Sequence, residues 1–88
     1  MYSLAIDEDL DRRLNKLSKK NNKQYEVIQK KVKEILKNPN HYKNLRAPLQ
    51  HWKRVHIESS FVLVFSVNEN TKTVTLEDLD HHDNIYKR

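Results

Sequence analysis

Apolar and polar positions change their spacing several times along the chain, and each change predicts an element. Tyr2 to Ile6 is short and mostly apolar, which predicts a first strand. From Asp7 the spacing becomes helical: Leu10, Leu14 and Leu17 fall on one stripe, with Arg12, Arg13, Lys16, Lys19 and Lys20 on the other faces. Asp7 is placed to cap that helix, and Glu8, Asp9 and Asp11 lie in its first turn, where the helix dipole favours negative charge. Asn21-Asn22 interrupts the stripe. A second helix follows with Tyr25, Ile28, Val32, Ile35 and Leu36 inward, ending near Asn38 because Pro39 cannot continue it. Two amphipathic helices joined by about two polar residues predict an antiparallel hairpin that must lay its apolar stripe on a sheet.

Residues 38–51 show no clear period and predict a connecting loop that carries Lys43, Arg46 and His51; long irregular loops in small domains are more often functional than not. Alternation returns at Trp52–Ile57. Lys53, Val55 and Ile57 share one face, while Trp52, Arg54 and His56 share the other, so the strand has one dry face and one left for chemistry or solvent. Phe61 to Phe65 is apolar at every position, as in a strand covered on both sides in the middle of a sheet. Glu58-Ser59-Ser60 is the turn between them, and Thr73–Leu76 forms the next strand of an antiparallel meander. The expected fold is α+β: one domain over residues 1–88, with an N-terminal strand and a helical hairpin on a mainly antiparallel sheet of about four strands. The crossover through two helices permits a parallel neighbour for the first strand, whose position in the sheet stays open.

Composition narrows the function. The chain of 88 residues contains no cysteine, which removes disulfides and thiolate metal sites and points to a reducing cytoplasm. No apolar run approaches the ~20 residues of a membrane span, and no basic-then-apolar signal pattern opens the chain. Glycine is absent as well. Gly-rich phosphate loops are therefore excluded, and tight turns are expected at Asn, Asp or Ser, with Asn21-Asn22, Asn38 to Asn40, and Asn68 and Asn70 in suitable places. Charge is strongly segregated: residues 12–54 hold fourteen Lys/Arg against two Glu, whereas both flanks are net acidic. A middle that basic suits a polyanion or an acidic protein partner, or a lysine-rich solvated helix.

Three groups can carry chemistry. Asp80-His81-His82-Asp83 has metal-binding residue types, but neighbours on a strand point to opposite faces and no further His or Cys stands at helical spacing, so no metal is expected. His81, His82, Asp83 and Tyr86, with Arg54 and His56 from the open face of the second strand, form an acid–base set. Imidazole moves protons near neutral pH and a neighbouring carboxylate fixes its tautomer. Lys53, Arg54 and Arg46 can clamp a phosphate. These residues suffice for RNA cleavage by the adjacent 2′-hydroxyl, although surface histidines with Ile85 and Tyr86 packed at the sheet edge are the commoner arrangement. The lysines of the helical hairpin can grip a nucleic-acid backbone, with no base-reading pattern beside them.

The order Arg46-Ala-Pro-Leu, Trp52-Lys-Arg-Val-His-Ile, Phe61-Val-Leu-Val-Phe and Asp80-His-His-Asp-Asn-Ile-Tyr86 resembles the RelE toxins of type II toxin–antitoxin systems, particularly their archaeal branch. The resemblance spans nearly the whole chain. It implies a microbial-ribonuclease-like domain that enters the ribosomal A site and cuts mRNA without metal or cofactor, and an antitoxin partner, usually acidic and partly disordered, that silences it. It places Tyr86 at the family's C-terminal active-site position and His81 or His82 where a basic residue helps hold the phosphate, and Tyr86 or His82 is expected to serve as general acid or base. His81, Arg54, Arg46 and Lys53 would hold the phosphate, and His56 and Lys43 would lie at the RNA. Many relatives open the next strand with Gly-x-Tyr-Arg, whereas this chain has Ser59-Ser60-Phe61-Val62, so Val62 replaces a phosphate-binding arginine. Two other roles fit the same fold: a ParE-like gyrase-binding toxin, and a weakened toxin that serves as corepressor with its antitoxin.

Overall fold

Asp7 turns the chain from its first strand into its first helix, as its spacing predicts. The computed structural model describes residues 1–86. Strand β1 spans Ser3–Ile6 and helix α1 spans Glu8–Lys20. The Asp7 carboxylate accepts from the Leu10 N–H at 3.2 Å, satisfying one of the unpaired donors of the first turn. Helix α2, Asn22–Lys37, starts after a single residue. Asn21 closes α1 by donating its backbone N–H to Leu17 and opens α2 by accepting from the Gln24 N–H through its side chain. One residue thus performs both jobs.

Strands β2 (Lys53–Ile57), β3 (Phe61–Asn68) and β4 (Thr73–His81) complete a four-stranded sheet in the order β1-β4-β3-β2. β2, β3 and β4 are antiparallel neighbours, and β1 runs parallel to β4 at the far edge, which settles the placement of the first strand. β3 is central, and Val62 through Phe65 are all buried. The helices cover one face. Leu10 and Leu14 of α1 and Ile28 and Ile35 of α2 pack with Val55, Ile57, Leu63, Phe65, Val74 and Leu76. Burial of a side chain of this size stabilises by about 1.5–3 kcal/mol, so this layer supplies most of the driving force for folding.

Two features depart from the expectation. β4 runs five residues beyond Leu76, through Glu77-Asp78-Leu79-Asp80-His81, with a bulge opposite Val64 and Phe65. Pairing with β3 overrides the poor strand preference of those acids, and the bulge interrupts the alternation that would have revealed it. A short helix α3, His82–Tyr86, follows directly. The left-handed backbone positions are also not at asparagine: Glu58 has φ 56° and Lys72 has φ 53°, whereas Asn21 and Asn38 have negative φ, −143° and −153°. The asparagines act through their side chains, as where Asn68 accepts from the N–H groups of Asn70 and Thr71.

The β3–β4 turn is tied to the rest of the molecule at Glu69. Its carboxylate accepts from the Tyr2 hydroxyl at 2.9 Å, the Asn40 amide at 3.0 Å and the Lys72 ammonium at 2.9 Å. Those donors, with Lys72 first, hold the Glu69 pKa down at about 2. No helix among the described residues is long and apolar enough to cross a membrane.

Candidate active site

The sheet face away from the helices carries the candidate chemistry. Because Val55 and Ile57 point into the helical layer, Arg54 and His56 point the other way. Their cross-strand partners Val64 and Val62 share that face and belong to a second, smaller apolar cluster with Leu45 and Ile85. Ile85 is the anchor of α3. It is 1 % exposed, and its burial on β3 brings the next residue, Tyr86, over the sheet with 48 % of its surface open. The entry to α3 is fixed by hydrogen bonds: the His82 N–H donates to the Ser60 carbonyl at 2.8 Å, and the Asn84 amide donates to the Asp80 carboxylate at 3.0 Å.

Leu45, also buried, does for the connecting loop what Ile85 does for α3. Its N–H donates to the Trp52 carbonyl at 2.9 Å, and the Arg54 N–H donates to the Lys43 carbonyl at 3.0 Å. The loop is thereby laid alongside β2, and its turn Arg46–Leu49 faces Tyr86. Between them opens a cleft of about 610 Å³ whose floor includes Leu45 and Ile85, and whose polar walls are Arg46, Arg54, His56 and Tyr86. The Arg54 guanidinium carbon lies 5.7 Å from the centroid of the Tyr86 ring. Neither the Arg46 nor the Arg54 guanidinium makes a hydrogen bond or ion pair among the described residues, so both keep their donors for an anion.

His81 and His82 extend this group along the start of α3. Their rings stack at 4.6 Å, and the His82 ring is 6.4 Å from that of Tyr86. Asp83 stands beside both imidazoles. The imidazole–carboxylate pairing expected from the sequence is therefore present, adjoining the cleft wall.

Two of the expected phosphate ligands are elsewhere. Lys53 lies on the opposite face from Arg54. Its ammonium donates to the Tyr42 carbonyl at 3.2 Å and to the Asn44 side-chain oxygen at 3.0 Å, fastening the loop. Lys43 is exposed and outside the cleft wall, contributing its backbone carbonyl to β2. Conversely, Leu45 and Asn44 line the cleft without having been singled out, since nothing in the spacing of residues 38–51 marks them. Val62 occupies the right face for a phosphate ligand but is fully buried beneath Ile85, and offers no charge.

A small α+β domain of this topology, with two helices on one face of a four-stranded, mostly antiparallel sheet, matches the fold of RelE-type toxins of toxin–antitoxin systems. The chain belongs to the RelE toxin family. It is 59 % identical, over 88 residues covering all of this chain and 94 % of the relative, to a protein of Methanocaldococcus jannaschii named "Putative toxin RelE4". It is also 59 % identical over 86 residues to an uncharacterized protein of Methanosarcina mazei, covering 98 % of this chain and 100 % of that one. Among solved structures, the intact Escherichia coli RelBE toxin–antitoxin complex contains a chain that superposes with a TM-score of 0.78 at 23 % identity, covering 92 % of this chain and 96 % of that one. No family model matches the chain.

Proposed function

We propose that this protein is the toxin of a type II toxin–antitoxin system and that it cleaves mRNA in the ribosomal A site. The observation that carries the reading is the convergence of Arg46, Arg54, His56 and Tyr86 on one cleft, with His82 next to Tyr86. In the reaction, the 2′-hydroxyl of the nucleotide before the scissile bond attacks phosphorus. A base takes its proton, the 5′-oxygen leaves with a proton from an acid, and a 2′,3′-cyclic phosphate remains. His82 and Tyr86 are the proton carriers. Arg54 and Arg46 offset the charge that builds on the phosphoryl oxygens, and His81 steadies the phosphate from the α3 side. No cofactor takes part in these steps. The fourteen cations of residues 12–54 steer the protein onto ribosomal RNA and onto an acidic, partly disordered antitoxin, as the complex known for the RelE-like chain of similar fold encourages. The protein acts in the cytoplasm, where its ribosomal target is.

Toe-printing of ribosomes stalled on a defined message tests this. Cleavage should fall within the A-site codon and be lost in Tyr86→Phe combined with His82→Ala. Undiminished cleavage by that double variant would remove the assignment.

A second reading draws on Val62. With an apolar, buried residue where many relatives place an arginine, the protein can serve chiefly as corepressor alongside its antitoxin. Normal growth on expression without antitoxin, together with tighter operator binding when the toxin is present, would favour it.

A further inference from the structure

Asp83 stands beside two stacked imidazoles. One of its carboxylate oxygens is 3.1 Å from His82 Nδ1 and the other is 3.6 Å from His81 Nδ1. The two rings lie nearly parallel, inclined by 27°. One donor atom from each of the three residues can be chosen so that all lie within 4.8 Å of one another, and no other group of three such side chains does so among the described residues. A continuous strand would send these neighbours to opposite faces. Here β4 ends at His81 and α3 begins at His82, and that change of backbone brings both rings to the same side.

We propose that His81, His82 and Asp83 form a binding site for a borderline transition-metal dication such as Zn²⁺, Ni²⁺ or Cu²⁺. A tetrahedral ion bound at 2.0–2.1 Å holds its ligand atoms ~3.3 Å apart. With one carboxylate oxygen as ligand, the three atoms already lie within 4.8 Å of one another, so gaps of at most about 1.5 Å have to close, which side-chain rotations achieve. Two nitrogens and a carboxylate oxygen suit these ions, whereas Ca²⁺ and Mg²⁺ require six or more oxygen ligands. Three protein ligands leave a fourth position for water. The Asp83 N–H donates to His81 Nδ1 at 3.2 Å, so that nitrogen already presents a lone pair and the ring proton sits on Nε2. An ion that takes the lone pair releases the N–H of an exposed residue, where water replaces the bond. Both histidines are only half-buried, so the ion has a path in.

Binding would pin the start of α3 to the end of β4, one turn before Tyr86. It would also occupy the imidazoles that the nuclease mechanism uses, making the metal an inhibitor; that consequence, unlike the binding itself, rests on the nuclease reading.

The test uses the full chain without an affinity tag, titrated with ZnCl₂ in a non-chelating buffer. Calorimetry gives stoichiometry and affinity, and imidazole NMR of the wild-type protein locates the ion without any variant. The expected result is one ion per chain with His81 and His82 resonances perturbed. Asp83→Asn and His82→Ala should each weaken binding roughly tenfold or more, His41→Ala should leave it unchanged, and all three should keep the wild-type far-UV spectrum. Perturbation centred on His41, His51 or His56, or wild-type affinity in both site variants, would overturn the proposal. A parallel cleavage assay at saturating Zn²⁺ separates the two readings. Loss of binding removes the metal site whatever the nuclease does, while binding without inhibition upholds the site and counts against His82 as proton carrier.

Discussion

Arg54 and Tyr86, from the second strand and the last helix, meet at one cleft, with the guanidinium carbon over the phenol ring 5.7 Å from its centroid. A cation over an aromatic face at an open site contributes about 0.5–1 kcal/mol, enough to align the two groups but too little to hold α3 in place. Its value is positional: the phenol and the unspent guanidinium donors address the same small volume. Arg54→Ala should therefore lower the single-turnover rate of A-site cleavage by about 10²–10³, the usual cost of removing one charged donor from a developing oxyanion. Its urea midpoint should move by less than about 1 kcal/mol in stability. An unchanged rate would detach Arg54 from the chemistry.

What does hold α3 is Ile85, buried against Leu45, Val62 and Val64. Ile85→Ala should cost about 2–4 kcal/mol in urea unfolding, from lost transfer energy plus the cavity left behind. Because Tyr86 is the neighbouring residue, cleavage should fall even at temperatures where the variant is fully folded. Ile85→Val, which removes one methylene, should cost about 0.5–1.5 kcal/mol and keep most of the activity. A variant as stable as wild type would show that α3 does not depend on this seat.

The Glu69 network gives a pH signature remote from the cleft. Its carboxyl is held at about 2, below the ordinary 4.5, by Lys72, Asn40 and Tyr2. For an acid whose folded pKa is depressed, the stabilisation is fully present above 4.5 and disappears as pH falls through about 2. Between those values the unfolded chain binds the proton more readily, so stability declines with acid. Glu69→Gln should flatten the thermal midpoint across this window and lower it at neutral pH. Added salt should narrow the difference, since the group is exposed to solvent. Identical acid profiles for the two proteins would count against the network.

Much of this architecture is written in side-chain spacing. Leu10, Leu14 and Ile28 announce the helical hairpin, and the alternation of Val55 and Ile57 with Arg54 and His56 separates the core face from the cleft face. The rest depends on contacts between distant segments. Nothing local says that Glu77, Asp78 and Asp80 are in a strand, because β3 supplies the partner and the bulge shifts the phase. Lys53 has the residue type of a phosphate ligand, yet its own alternation puts it with Val55 on the other face, where it fastens the loop. His81, His82 and Asp83 look divergent if read as a strand and converge because a helix starts among them.

Glu58 offers a direct test of what the absence of glycine costs. It adopts φ 56° in the β2–β3 turn, a region where a side chain with a Cβ is disfavoured by roughly 1–2 kcal/mol. Glu58→Gly should raise stability by about 0.5–1 kcal/mol, the relieved strain being partly offset by the greater entropy of glycine in the unfolded chain. The same change at Lys72 should not help, because it also removes a donor to Glu69. Equilibrium denaturation of the two variants side by side checks both statements, and a destabilised Glu58→Gly would refute the first.

Asn21, shared between α1 and α2, leaves no slack where the helices meet. Each residue added to or taken from a helix rotates everything beyond it by about 100°. A single residue inserted in the first turn of α2 would therefore swing Ile28 and Ile35 off the sheet. With one residue between them, the two helices keep a fixed angular phase, and the joint has no length to absorb such a change.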